Sequence, residues 1–109
     1  LLLVNLMNIG KPIAALCVSP VVLSKAFEDS GIKLNMTIGS SEEKSPYDIS
    51  SFEAGMQQCG VQTVANGIKE ITVDKENKII SAPCYMMDAN ILEVRKNIRS
   101  AVEALRDLV

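Results

Sequence analysis

Apolar residues along the chain come in short blocks whose spacing changes from continuous to alternating and then to steps of three and four. Ile13 to Leu16 is a continuous apolar run after Pro12, the pattern of a short strand buried on both faces, as in a parallel sheet. From Pro20 the positions Val21, Val22, Lys25 and Ala26 fit a short helix with proline in its first turn, and Gly31 in "DSG" is the stop signal. "IKLNMTIG" then sets Ile32, Leu34, Met36 and Ile38 against Lys33, Asn35 and Thr37, which predicts a strand with one wetter face. Together these segments predict a right-handed β-α-β unit whose tight turn is centred on Cys17.

"SSEEKSPYD" is polar and aperiodic and reads as a surface loop, the expected mobile segment. Ser50 with Glu53 has capping-box spacing before Phe52, Met56 and Cys59, so a helix over 50–59 ending at Gly60 is expected. Val61 to Val64 is a candidate strand. "IKEITVD" and "KIISAP" flank Lys75-Glu76-Asn77 as a paired-strand or hairpin reading, with Ile71 and Val73 on one side and Asn77 in the turn. Over 89–109, Ile91, Val94, Ile98, Val102, Leu105 and Leu108 or Val109 recur at helical spacing and predict one long amphipathic helix. Its charged residues, from Arg95 to Asp107, read as a solvated face.

The first ten residues, "LLLVNLMNIG", read as the end of a helix stopped by Gly10, with its earlier part outside this chain. That run is too short for a bilayer span, which needs about 20 apolar residues, and has no basic region of signal-peptide type. The 109 residues are 48% hydrophobic and 22% charged, a balance that predicts one small folded domain. The net charge of -2, with acidic and basic residues interspersed, gives no footprint for nucleic acid or an anionic membrane surface. No nucleic-acid partner and no direct membrane insertion are therefore expected.

Cys17, Cys59 and Cys84 are odd in number and form no C-x-x-C pair, which fits reduced thiols better than a disulfide framework. There is no histidine, and the cysteine and carboxylate spacing matches no common metal pattern, so neither a metal nor another cofactor is expected. In "KPIAALCVSP" the small residues Ala15 and Ser19 stand two before and two after Cys17, the pattern of a nucleophile elbow. A thiol there faces the positive end of the following helix, a setting that favours thiolate, and backbone N–H groups at Val18 and Ser19 could hold an oxyanion. A buried cysteine ending a core strand fits the same spacing. Cys59 reads as core packing. Cys84 reads either as a buried thiol or as one able to resolve an oxidised Cys17. Tyr47 and Tyr85 are open between ordinary packing and contact with a ligand or partner.

"GKPIAALCVSPVVLSKAF", "LNMTIG", "VDKENKIISAPCYM" and the terminal amphipathic helix resemble the amidotransferase-like branch of the PfpI/ThiJ superfamily, of ElbB type, with its mitochondrial relatives. The resemblance implies a flavodoxin-like three-layer α/β/α sandwich of about twice this length. On that basis residues 1–109 are the C-terminal half of one amidotransferase-like domain. It implies that Cys17 is the elbow cysteine, that Ala15, Val18 and Ser19 form its elbow and oxyanion region, and that Cys84 and Tyr85 in "SAPCYM" wall the pocket. PfpI-type proteases carry histidine directly after the cysteine, where this chain has Val18. Class I amidotransferases bring histidine and glutamate to it, and this segment offers neither, so neither activity is expected.

The resemblance leaves two functional readings. One is a weakly active or catalytically silent accessory or structural subunit, in a larger mitochondrial assembly, with a protein partner or as a homo-oligomer. The other is a glyoxalase or deglycase in which Cys17 attacks a small reactive aldehyde such as methylglyoxal and a glutamate from the N-terminal half moves protons. An auxiliary role in isoprenoid metabolism, suggested by the bacterial family name, has no residue here to explain it. The longer polar loop points to a mitochondrial address, with the cytoplasm as the alternative.

Overall fold

A computed structural model describes residues 2–109. Helix α1 (Leu2–Asn8) ends as the sequence predicts, since Gly10 takes a φ of 78°. The Gly10 N–H bonds the Met7 carbonyl and the Lys11 N–H bonds that of Leu6, so two carbonyls of the last turn are satisfied by a Schellman closure. The chain then enters β1 (Ile13–Leu16) and α2 (Ser19–Ala26), and continues through β2 (Asn35–Gly39), α3 (Ile49–Gln58) and β3 (Gln62–Ala65). It closes with β4 (Thr72–Asp74), β5 (Ile79–Ala82), a single 3-10 turn at Cys84–Met86 and helix α4 (Ile91–Leu108).

Strand β5 is central. It pairs in parallel with β1, Leu16 opposite Ala82, and antiparallel with β4, Val73 opposite Ile80. β2 pairs in parallel with β3. The two groups of strands meet where β2 packs against β5 and β4, and there side chains replace the backbone ladder. The Thr37 N–H donates to Ser81 Oγ at 2.9 Å, and the Asn35 N–H donates to Asp74 Oδ2 at 3.0 Å. The β1-α2-β2 connection therefore crosses over β5.

Apolar clusters fill both faces. One gathers Ala15, Leu34, Met36, Ile38 and Ile79 under α2 and α3, with α1 residues packed at its edge; the other gathers Ile80, Ala82, Cys84, Val94 and Ala101 under α4. Full burial of Leu34, Met36, Ile38, Ile79 and Ile80 contributes roughly 1.5–3 kcal/mol each. The result is the α/β/α layering of a flavodoxin-like fold.

Several local expectations are corrected. β1 is half-buried except at Ala15, because it pairs on one side only among the described residues. α2 ends at Ala26, before the turn that carries Gly31. Thr37 on β2 is fully buried instead of facing water, with its hydroxyl accepting the Gly39 N–H. On β4 it is Thr72 and Asp74 that face inward while Val73 is exposed, since Asp74 accepts hydrogen bonds from Asn35 and Asn77. In the hairpin turn the left-handed residue is Lys78, with a φ of 55°.

The N-cap of α3 is Asp48, which accepts from the Ser51 N–H and hydroxyl, so the Ser50–Glu53 capping box does not form. A capping box is instead built at Asn90 and Glu93, at the start of α4. On α4 the inward stripe is Val94, Asn97 and Ala101, flanked by Ile98 and Leu105, while Ile91 and Val102 are exposed. The 40–48 loop, although mostly exposed, is tied to the turn after β5. Ser45 Oγ donates to the Met86 carbonyl, the Asp88 N–H donates to the Lys44 carbonyl at 2.9 Å, and Lys44 pairs with Asp88.

Candidate functional site

The parallel pairing of β1 with β5 runs one residue beyond the strand. The Cys17 N–H donates to the Ala82 carbonyl at 3.0 Å, and at this point the chain turns sharply, with Cys17 at a φ of 61°. A left-handed non-glycine residue costs of order 1–3 kcal/mol and persists where the surroundings over-determine it. Here the ladder bond on one side and α2 on the other impose it. Val18 is the N-cap of α2, Pro20 lies buried in the first turn, and the Val21 N–H closes on the Val18 carbonyl at 3.0 Å. Small side chains at Ala15 and Ser19 let strand and helix meet at this angle.

Cys17 is half-buried and touches both apolar clusters, so its thiol sits at the end of the sheet between the helix layers. Among the described residues the Val18 and Ser19 N–H groups donate to no acceptor, which leaves two backbone donors at the start of α2 beside the thiol. Such a pair can hold developing negative charge on an oxygen. Cys17 Sγ forms no hydrogen bond to a side chain among the described residues, and the sequence has no histidine to serve as its base. No cluster of three potential metal ligands occurs among the described residues.

Cys84 closes the other side of the elbow. It follows β5 after Pro83, is 1% exposed and is also left-handed, with a φ of 48°. Burial pushes its thiol pKa up; the nearby Cys17 backbone N–H opposes this, and the neighbouring Cys17 thiol adds to the rise. Its own N–H is held by Asn97 Oδ1 at 2.8 Å, while Asn97 Nδ2 donates to the Glu70 carbonyl at 2.9 Å. Asn97 therefore clamps the Cys84 turn to α4 and to the loop before β4. Nothing in the sequence pattern singled it out, because it stands off the stripe of Ile91, Val94, Ile98 and Val102 that the spacing predicts.

The elbow residues Ala15, Cys17, Val18 and Ser19 are thus brought together with Cys84. Tyr85 is not directed with them: it is half exposed and lines a shallow groove with Ile91, Val94, Arg95 and Ile98 on α4. Tyr47 is exposed on the 40–48 loop. Cys59 lies at the far end of α3 and donates to Glu28 Oε2 at 3.5 Å; partial burial and that carboxylate raise its pKa. No helix among the described residues is long and apolar enough to cross a membrane.

A left-handed cysteine between a parallel strand and a proline-led helix, on a flavodoxin-like sheet, defines the fold class: an α/β sandwich whose first described strand turns sharply into a helix at Cys17. No family model matches the sequence. The chain is 25% identical over 101 residues to the mitochondrial ES1 protein homolog of Rattus norvegicus, a match covering 90% of this chain and 36% of that protein. It is 24% identical over 102 residues to the mitochondrial glutamine amidotransferase-like class 1 domain-containing protein 3 of Homo sapiens, covering 91% and 36%. The crystal structure of an isoprenoid biosynthesis protein with amidotransferase-like domain from Ehrlichia chaffeensis superposes with a TM-score of 0.82 at 22% identity, over 98% of this chain and 45% of that one. The chain spans about a third of the length of the curated relatives it matches. In sequence and fold the chain is thus similar to amidotransferase-like proteins, over part of their length.

Proposed function

We propose that this protein is an accessory or structural amidotransferase-like subunit with weak or no catalysis of its own, working in a larger mitochondrial assembly. The observation that carries this reading is the contrast at Cys17: the elbow is built, yet among the described residues no side chain bonds the thiol, and the sequence has no histidine to take its proton. Cys-His glutaminase chemistry has no base among these residues. The names of the two curated relatives, both mitochondrial, support the location. The same reading takes residues 1–109 as the C-terminal half of the domain, with a protein partner or a second copy covering the free side of β1.

A second reading rests on a specific feature, the N–H groups of Val18 and Ser19 beside the thiol, which donate to no acceptor among the described residues. In a glyoxalase or deglycase, Cys17 Sγ would attack the aldehyde carbon of methylglyoxal. The carbonyl electron pair would move to oxygen beside those donors, and the thiol proton would pass to that oxygen to give a hemithioacetal. A glutamate from the N-terminal half would move the proton. The experiment compares full-length protein with Cys17→Ser for methylglyoxal consumption and glutamine hydrolysis. Equal, near-background rates in both are expected for the accessory role. A loss of about tenfold or more on substitution, about 1.4 kcal/mol of barrier, would overturn it in favour of the second reading.

A further inference from the structure

We propose that Cys17 and Cys84 form a reversible dithiol–disulfide pair, a site of oxidative modification in which Cys17 is oxidised first and Cys84 resolves it. The pair is independent of the accessory reading, since it needs no acid-base partner and no substrate.

The placement comes from the sheet. Leu16 and Ala82 are register partners on adjacent parallel strands, and neighbouring strands lie about 4.8 Å apart. The ladder extends one step further through the bond from the Cys17 N–H to the Ala82 carbonyl, and Cys84 follows Ala82 two positions later, after Pro83. Both strands thus end side by side and both turn there through a cysteine. Of the three non-glycine residues with positive φ among those described, two are these cysteines. Cys17 packs against the apolar cluster that contains Cys84, and its thiol and backbone N–H lie near enough to influence the Cys84 thiol. Continuing the register sets Cys17 opposite Pro83, one residue before Cys84, and neighbouring strands lie within the Cα separations of about 4.4–6.8 Å that a disulfide needs.

Exposure assigns the order. Cys17 is half-buried and within reach of a small oxidant, whereas Cys84 is 1% exposed and shielded from it. A hydroperoxide transfers one oxygen to Cys17 Sγ, giving a sulfenic acid and an alcohol or water. Cys84 Sγ then attacks the sulfenic sulfur: the S–S bond forms, the S–O bond breaks, and hydroxide leaves with the Cys84 thiol proton as water. Two thiols lose two electrons and the hydroperoxide gains them, and an external dithiol reverses the step. Burial, which raises the Cys84 thiol pKa, slows the direct oxidation of Cys84.

The test treats full-length protein with equimolar hydrogen peroxide, blocks free thiols, and maps peptides without reduction. The expected product has lost two hydrogen masses, links the Cys17 and Cys84 peptides, leaves Cys59 alkylated, and reverts with dithiothreitol. In Cys84→Ala and Cys84→Ser, Cys17 should pass to the sulfinic acid, a gain of two oxygen masses, roughly tenfold faster than in the wild type. Equal sulfinic accumulation in wild type and variants, or a link from Cys17 to Cys59 or between molecules, would overturn the pairing. Should both variants fail to fold, the wild-type peptide map alone decides between these outcomes.

Discussion

Replacing Asn97 with leucine keeps roughly the same side-chain volume on the buried face of α4 and removes both ends of one clamp. Asn97 is 2% exposed; it accepts from the Cys84 N–H at 2.8 Å and donates to the Glu70 carbonyl at 2.9 Å. The Cys84 N–H is buried, so leaving it without a partner costs about 1–3 kcal/mol, and the carbonyl of the exposed Glu70 adds a smaller amount because water can reach it. We expect Asn97→Leu to destabilise by about 2–4 kcal/mol in all. With an m-value of about 2 kcal/mol/M, the urea midpoint should fall by about 1–2 M. Asn97→Asp separates the two bonds. A carboxylate can still accept from Cys84 but cannot donate to the carbonyl, and it regains a donor on protonation. Facing a carbonyl in a buried site, that carboxyl has its pKa raised by folding, so its contribution is fully present in acid, below the unfolded value, and lost as pH rises through the folded value. Stability of Asn97→Asp relative to wild type should therefore improve as pH is lowered. A midpoint within about 0.2 M of wild type for Asn97→Leu would refute the clamp.

Three further outcomes follow from the geometry. Gly39→Ala puts a Cβ 2.7 Å from Met87 Sδ at a φ of 126°, so it should destabilise by about 1–3 kcal/mol in equilibrium unfolding even if the methionine moves aside. Hydrogen bonds from Ser51 hold the Asp48 carboxyl below the usual range, so its stabilisation of α3 is present above the unfolded value near 3.9 and fades as pH falls toward the lower folded value; Asp48→Ala should remove that acid dependence, as read by helical circular dichroism. Partial burial and then Glu28 raise the Cys59 thiol, so Glu28→Gln should speed alkylation of Cys59 at pH 8, followed by peptide mass spectrometry, with an unchanged rate counting against the contact.

The elements whose signals are local were legible in the chain. Gly10 as a helix stop, the apolar run Ile13–Leu16 and Pro20 in a first turn each carry their own physical cause within a few residues. What was hidden depends on partners distant in sequence. Asn97 looks like a surface residue until the Cys84 turn, 13 positions earlier, is seen to need its oxygen. That polar insertion also rotates α4, because the stripe running from Ile91 through Val102 and the stripe through Val94, Asn97 and Ala101 both satisfy helical spacing. Thr37 looks outward for the same reason, since its N–H meets Ser81 on a neighbouring strand that pattern alone does not place, and the inward turn of Asp74 likewise depends on the distant Asn35 amide. At the site, spacing indicated the Cys17 elbow, but its closeness to Cys84 follows only from the parallel register of β1 on β5.

The join between β2 and β5, made by Ser81 and Asp74 side chains instead of a continuous ladder, divides the sheet mechanically. Within each group of strands a backbone amide is released only when a ladder breaks, whereas across the join two side-chain rotations are enough. Proton exchange should therefore begin at the Asn35 and Thr37 amides, opening the sheet like a hinge along Ser81 while the elbow on β1 and β5 stays locked. The cysteine pair rests on the stiffer leaf.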